Sequence, residues 1–123
     1  MATESDEAGR SPALRERWER VKAWAANGTA LHIQGGGSKH FVAMGDGAEA
    51  LQVSHLDQIV SYEPTELVIT AQAGTRLTTI NAALAEHGQM LGFEPPHLSP
   101  DSSIGGLISC GWSGPGRPYR GSA

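Results

Sequence analysis

Leu14, Trp18, Val21 and Ala25 recur at i, i+4, i+7 and i+11, a single apolar stripe that predicts a helix from Pro12 to about Ala26. Ser11 supplies a cap, Pro12 suits the first helical position, and Asn27-Gly28 stops the helix with a left-handed residue. Leu31 to Gln34 then reads as a short strand. From Phe41 to Gln52 the alternation is loose around a Gly45-Asp46-Gly47 turn, with a short strand near Leu51-Gln52-Val53 and another over Asp57 to Ser61. Glu63-Pro64-Thr65 breaks the chain. Leu67-Val68-Ile69-Thr70-Ala71, rich in β-branched residues, is the clearest strand. Ala73-Gly74-Thr75 turns it into a second helix, capped by Thr75, with Leu77, Ile80 and Leu84 on one face and a stop at Gly88. Met90-Leu91 reads as a last short strand.

This order of helix, strand, loop, strands, helix, strand and loop predicts an α+β arrangement, a small mixed sheet with flanking helices. Residues 1–10 read as a disordered acidic leader, and residues 11–123 as one domain with one core. The chain stops at Ala123 just after a glycine-rich loop, with no closing element, so the expectation is a domain incomplete relative to its fold.

Composition narrows the function classes. Among 123 residues, 39% are hydrophobic and 18% charged, and the net charge is −4, which argues against a basic nucleic-acid-binding surface. Arg15, Arg17, Arg20 and Lys22 interleave with Glu16 and Glu19 as a solvated helix face. The single cysteine, Cys110, has no disulfide partner and is expected to be buried in packing within Leu107-Ile108-Ser109-Cys110. No segment is apolar enough for a signal peptide or a membrane span. His32, His55, His87 and His97 lie far apart without metal-ligand spacing, so no metal site is expected. No titratable side chain has an identifiable partner that would make it a general base, so no catalytic residue is assigned. Trp18 is expected in the core, and Trp112 either in packing or beside a ligand.

The outlier is glycine, 16 residues concentrated in two loops and the tail. Gly35-Gly36-Gly37-Ser38-Lys39 follows the first strand. It fails the P-loop pattern, because His40 follows Lys39, and it fails the dinucleotide fingerprint, because the sixth position from Gly35 is His40. The glycines let the backbone fold tightly around an anion, and Ser38 adds a hydroxyl. A plain glycine turn explains this loop alone equally well. The second loop runs from Ser99-Pro100-Asp101-Ser102-Ser103-Ile104-Gly105-Gly106 to Gly111-Trp112-Ser113-Gly114. Gly105 and Gly106 are placed to open a short helix whose N–H groups face a phosphate, with Ser102 and Ser103 as donors or caps and Pro95, Pro96 and Pro100 stiffening the approach. Two such loops together can wrap a pyrophosphate.

Gly35-Gly36-Gly37-Ser38-Lys39, the run from Tyr62 to Thr75, Phe93-Glu94-Pro95-Pro96-His97, Ile104-Gly105-Gly106 and the run from Ser113 to Ser122 together resemble the FAD-binding subunits of glycolate oxidase. These belong to the flavoprotein superfamily of vanillyl-alcohol oxidase and p-cresol methylhydroxylase (PCMH). The resemblance spans roughly residues 12–122. It implies the first subdomain of a PCMH-type FAD-binding domain, with the pyrophosphate wrapped by the two loops. Position by position, Gly35, Gly36, Gly37, Ser38 and Lys39 match the first loop. Pro100, Ser102, Ser103, Gly105, Gly106, Gly111, Ser113 and Gly114 match the second, and Gly121 and Ser122 match the start of the crossing to the second subdomain. Some relatives attach FAD covalently through a histidine directly after two glycines of the first loop. Ser38 follows the glycines here, which implies non-covalent FAD.

The resemblance further implies oxidation of a small 2-hydroxy acid, glycolate to glyoxylate, with a larger flavoprotein subunit and an iron–sulphur subunit as partners. The implied location is cytoplasmic, or peripheral at the inner face of the cell membrane through those partners. Because the resemblance ends where the second subdomain and substrate cap should begin, the isolated chain is expected to bind FAD weakly or not at all and to be inactive alone. The rival readings are another FAD-linked oxidoreductase of the superfamily, such as a D-lactate dehydrogenase, and a truncated product without activity. The Phe93-Glu94-Pro95-Pro96-His97 string favours the glycolate type.

Overall fold

A computed structural model describes residues 12–39, 41, 47–96 and 98–121. The expected disorder over residues 1–10, the Ser11 cap, His40, the Gly45-Asp46 part of the turn, His97 and Ser122 lie outside the described residues. The chain forms two compact units: one takes residues 1–32 and 45–49, the other residues 33–44 and 50–123.

In the first unit, helix α1 spans Pro12–Ala26. Gly28, at φ 68°, turns the chain out of it, and the Asn27 and Thr29 N–H groups donate back to the carbonyls of Ala23 and Trp24. Trp18 is 39% exposed instead of forming core. The Lys22 ammonium lies 5.8 Å from the Trp18 ring centroid, and the Arg20 guanidinium 4.9 Å from that of Trp24, so both rings are covered by cations.

Strands β1 (Leu31–Gln34) and β2 (Glu49–Gln52) form one two-stranded sheet. Strands β3 (Ile59–Glu63) and β4 (Val68–Ala71) form a second, antiparallel one, pairing Ile59 with Ala71 and Glu63 with Val68 around a bulge between Ile59 and Ser61. Between β3 and β4 the proline break is a 3-10 turn, Pro64–Glu66, closed by Leu67 in the left-handed region at φ 58°. The strands thus divide between two small sheets within an α+β fold. Met90-Leu91 forms no strand; its residues line an apolar cavity of about 430 Å³ together with Leu67, Ile69 and Leu84.

The core belongs to the second unit. Helix α2 (Leu77–Ala85) contributes Leu77, Ile80 and Leu84, and helix α3 (Ile104–Cys110) contributes Leu107, each at most 5% exposed. Full burial of such side chains stabilises by about 1.5–3 kcal/mol apiece. Three polar residues are buried with them: Thr75, Ser102 and Ser103. Thr75 does not cap α2. Arg76 stands at the N-cap, and the Thr75 hydroxyl donates 3.2 Å to the Gln58 carbonyl. That bond lets a fully buried hydroxyl tie α2 to the chain entering β3. Cys110 is only half-buried, because it is the last residue of α3, where Gly111 at φ 58° turns the chain away. A final one-turn helix, α4 (Arg117–Arg120), occupies part of the tail read as loop from sequence.

Candidate functional site

The first glycine loop leaves β1 at Gln34 and meets the second loop at close range. A Cβ on Gly36 would overlap the Asp101 carbonyl oxygen and lie 2.6 Å from its carbonyl carbon. A Cβ on Gly35 would lie 2.5 Å from the Ser103 hydroxyl. Two successive glycines are therefore required by contact between the loops, while Gly37, at φ 69°, is required by backbone conformation. The Lys39 ammonium completes the junction by donating 3.0 Å to the Gly106 carbonyl. The structure thus brings Gly35, Gly36 and Lys39 together with Ser103 and Gly106.

The second loop is held by its own bonds. The Ser99 N–H donates 3.2 Å to the Ser102 hydroxyl, the Ser102 N–H donates 3.1 Å to the Ser99 carbonyl, and the Asp101 N–H donates 3.2 Å to the Ser99 hydroxyl. Pro100 sits on the exposed turn these bonds close. Ser103 caps α3, accepting from the Gly106 N–H at 3.4 Å. Behind it the chain zips onto residues 73–77. The Ile104 N–H donates to Thr75, the Gly105 N–H to Ala73, and the Leu77 N–H to Ser102, at 2.8–2.9 Å. A Cβ on Gly105 would lie 2.6 Å from the Ala73 carbonyl oxygen, so that glycine serves the zipper. Gly74 has the same role on the other side: its N–H donates 2.8 Å to Leu56, and its Cβ would meet the Val53 and Leu56 carbonyls.

At the helix start read as facing a phosphate, the N–H groups of Ile104, Gly105 and Gly106 are already donated to protein acceptors. Elsewhere on the second loop, the N–H groups of Ser103, Trp112 and Ser113 donate to no protein acceptor among the described residues. The first loop has free donors next to a cavity. Among the described residues, the N–H groups of Gly35, Gly36 and Ser38 and the Ser38 hydroxyl donate to no protein acceptor. Beside Gly35 and Gly36 opens a cavity of about 300 Å³, which Gln52, Asp57, Arg76 and Asp101 also line. Arg76 pairs with Asp101 at 3.1 Å. Unpaired N–H groups next to a cation suit an anion of phosphate or diphosphate type.

The remaining predicted residues gather elsewhere, around Glu94. Its carbonyl accepts the Gly114 N–H at 2.9 Å, and its carboxylate accepts the Gly116 N–H at 2.6 Å and lies 4.0 Å from Arg120. A Cβ on Gly114 would lie 2.9 Å from that carboxylate. The Ser113 hydroxyl donates 3.2 Å to Gly121, which has φ 81°. Gly111 ends α3. Trp112 stacks on Phe41 with ring centroids 6.1 Å apart, just past the first loop.

The sequence alone gives Gly74 a place in a turn and Glu94 a place in a family string, but marks neither of them, nor Arg76 or Asp101, as a site residue. For Glu94 a signal existed, since its neighbours Pro95 and Pro96 stiffen the segment. For Arg76 none did, because an arginine at a helix start is ordinarily solvated.

The sequence profile of the FAD binding domain matches residues 16–123. The Escherichia coli (strain K12) protein "Glycolate oxidase subunit GlcE" is 47% identical over 104 residues, covering 85% of this chain. The chain spans about 30% of the length of that relative.

Proposed function

This chain belongs to the FAD binding domain family, and from that premise we propose that its first glycine loop holds the diphosphate of FAD non-covalently, as the cofactor-binding part of a glycolate-oxidase-type flavoprotein subunit. The observation that carries the reading is the pair of unpaired N–H groups on Gly35 and Gly36 beside the cavity that Arg76 lines, with the unpaired N–H and hydroxyl of Ser38 on the same loop. The residues fit the group. A diphosphate needs several convergent donors and positive charge, and this loop supplies backbone N–H groups, a hydroxyl and a nearby guanidinium. The second loop acts through shape: Asp101 and Ser103 pack on Gly36 and Gly35 and fix the cradle, while the start of α3 is anchored to residues 73–77.

When bound, FAD supplies the two-electron acceptor for oxidation of the substrate's hydroxyl-bearing carbon. This chain's residues bind and orient the nucleotide end, and we assign none of them to proton transfer. The substrate we propose is a small 2-hydroxy acid, glycolate, and the partners are a larger flavoprotein subunit and an iron–sulphur subunit. The substrate rests on the name of the GlcE relative and on the Phe93-Glu94-Pro95-Pro96 run; the word subunit in that name supports a complex, and the kinds of partner rest on the family resemblance alone. A cytoplasmic location is part of the same proposal. Among the described residues, no helix is long and apolar enough to cross a membrane.

Non-covalent binding is proposed because Ser38, whose hydroxyl forms no flavin linkage of the histidyl kind, follows the three glycines. The test is acid precipitation of the flavin-loaded subunit that carries this sequence. Yellow flavin in the supernatant is the expected result; flavin pelleting with the protein would refute non-covalent binding. In the same subunit, Gly36→Val is expected to purify without flavin, and His87→Ala, whose ring packs edge-on to Tyr62 at 5.3 Å, to keep it.

A further inference from the structure

We propose that Arg76 is itself a diphosphate-binding residue, the cation that meets the charge of a nucleotide diphosphate entering beside Gly35 and Gly36. The inference rests on the reading that this loop holds a diphosphate, and it adds a residue at which neither the motif nor the family comparison points.

Charge makes the case first. The cavity beside the free N–H groups is lined by two carboxylates, Asp57 and Asp101, and among its described lining residues Arg76 is the sole cation. A diphosphate brings at least two negative charges of its own. Backbone dipoles alone would then have to hold it against two like charges, and a guanidinium at the same wall offsets one of them and can contact the phosphate oxygens directly. Lys39, the other cation at the loop junction, does not line the cavity and donates to the Gly106 carbonyl.

Placement makes the case second. The Arg76 backbone is fixed by its bridge to Ser103, and the next N–H, of Leu77, donates 2.9 Å to Ser102. The side chain therefore starts from a rigid point on the rim. One contact, Nη2 to Asp101 Oδ1 at 3.1 Å, steers it. The side chain is 62% exposed, and a guanidinium has five N–H donors, so phosphate oxygens can be met while the carboxylate contact persists. Asp101 touches Gly36 mainly through its backbone carbonyl, so its carboxylate can be altered without removing the contact between the loops.

The experiment is calorimetric titration of ADP, at millimolar concentration and two salt concentrations, into the flavin-depleted subunit that carries this sequence and its Arg76→Gln, Arg76→Lys and Asp101→Asn variants, with circular dichroism confirming that each is folded. Arg76→Gln should weaken ADP about tenfold or more and flatten the salt dependence. Arg76→Lys should recover part of the loss, since the charge returns without the planar fork. Asp101→Asn should tighten ADP, because it removes a repelling carboxylate and releases the guanidinium. If the pair were only a structural clasp, Asp101→Asn would weaken ADP in step with Arg76→Gln. That outcome, or an Arg76→Gln affinity equal to the parent's, overturns the proposal and leaves the diphosphate reading standing. A parent subunit that takes up no ADP, with Gly36→Val indistinguishable from it, overturns both.

Discussion

Gly36→Ala is the sharpest probe of the loop junction, because one methyl group is added where the structure has no room. The added Cβ would overlap the Asp101 carbonyl oxygen and lie 2.6 Å from its carbon and 3.1 Å from its Cβ. To restore an ordinary 3.4 Å contact, the carbonyl oxygen must recede by about 1.7 Å and the carbon by about 0.8 Å. The obstacle is backbone, and that backbone is held by the Ser99–Ser102 bonds and the Arg76–Asp101 pair, so it cannot swing aside as a side-chain tip would. Overpacking of this kind costs about 1–3 kcal/mol. For a chain of this size, that lowers Tm by roughly 4–15 °C.

Gly106→Ala is the matched comparison. Its Cβ would meet only the Ser103 hydroxyl at 3.3 Å and the Lys39 ammonium at 3.6 Å. It also replaces glycine inside a helix, worth up to about 1 kcal/mol in the opposite sense. Gly106→Ala should therefore melt within a few degrees of the parent or above it, and the two glycines, alike in the motif, should behave differently. The assay is thermal denaturation followed by circular dichroism, with flavin retention measured on the subunit carrying the same substitutions. Gly36→Ala melting within about 1 °C of the parent and retaining flavin would refute the close approach of Gly36 to Asp101 and the reasoning built on it.

Thr75→Val keeps the shape of a fully buried side chain but removes the donor to the Gln58 carbonyl, so it should cost about 1–3 kcal/mol in urea denaturation, while Thr75→Ser should recover most of that. Glu94→Ala removes the carboxylate that accepts the Gly116 N–H at 2.6 Å and should speed proteolytic cleavage within residues 113–121 severalfold, with little change in Tm because the site is half exposed. Unchanged cleavage would show that Glu94 does not order that segment.

Much of this protein is legible along the chain because it is set by local physics. The Leu77-Ile80-Leu84 spacing marks α2 and its buried face. The β-branched run marks β4, Pro64 marks the 3-10 turn, and Gly28, Gly88 and Gly111 mark left-handed ends of helices. The glycine clusters mark where backbone approaches backbone or ligand, since no other residue permits it. What the chain alone could not specify is what each glycine approaches. Gly36 faces Asp101, Gly105 faces Ala73, Gly74 faces Val53 and Leu56, and Gly114 faces Glu94. None of these pairings follows from any local pattern.

The same non-local packing decided which donors are free. The first N–H groups of α3 have the sequence of an anion-binding helix start. The zipper between residues 73–77 and 102–105 and the Ser103 hydroxyl satisfy them internally, whereas the N–H groups of Gly35, Gly36 and Ser38 stay unpaired. Sequence determined that this protein has glycine-rich loops fit for a phosphate. Tertiary structure decided which N–H groups of those loops stay available, because a buried N–H takes whatever acceptor the fold brings within about 3 Å, and only the folded chain sets those distances.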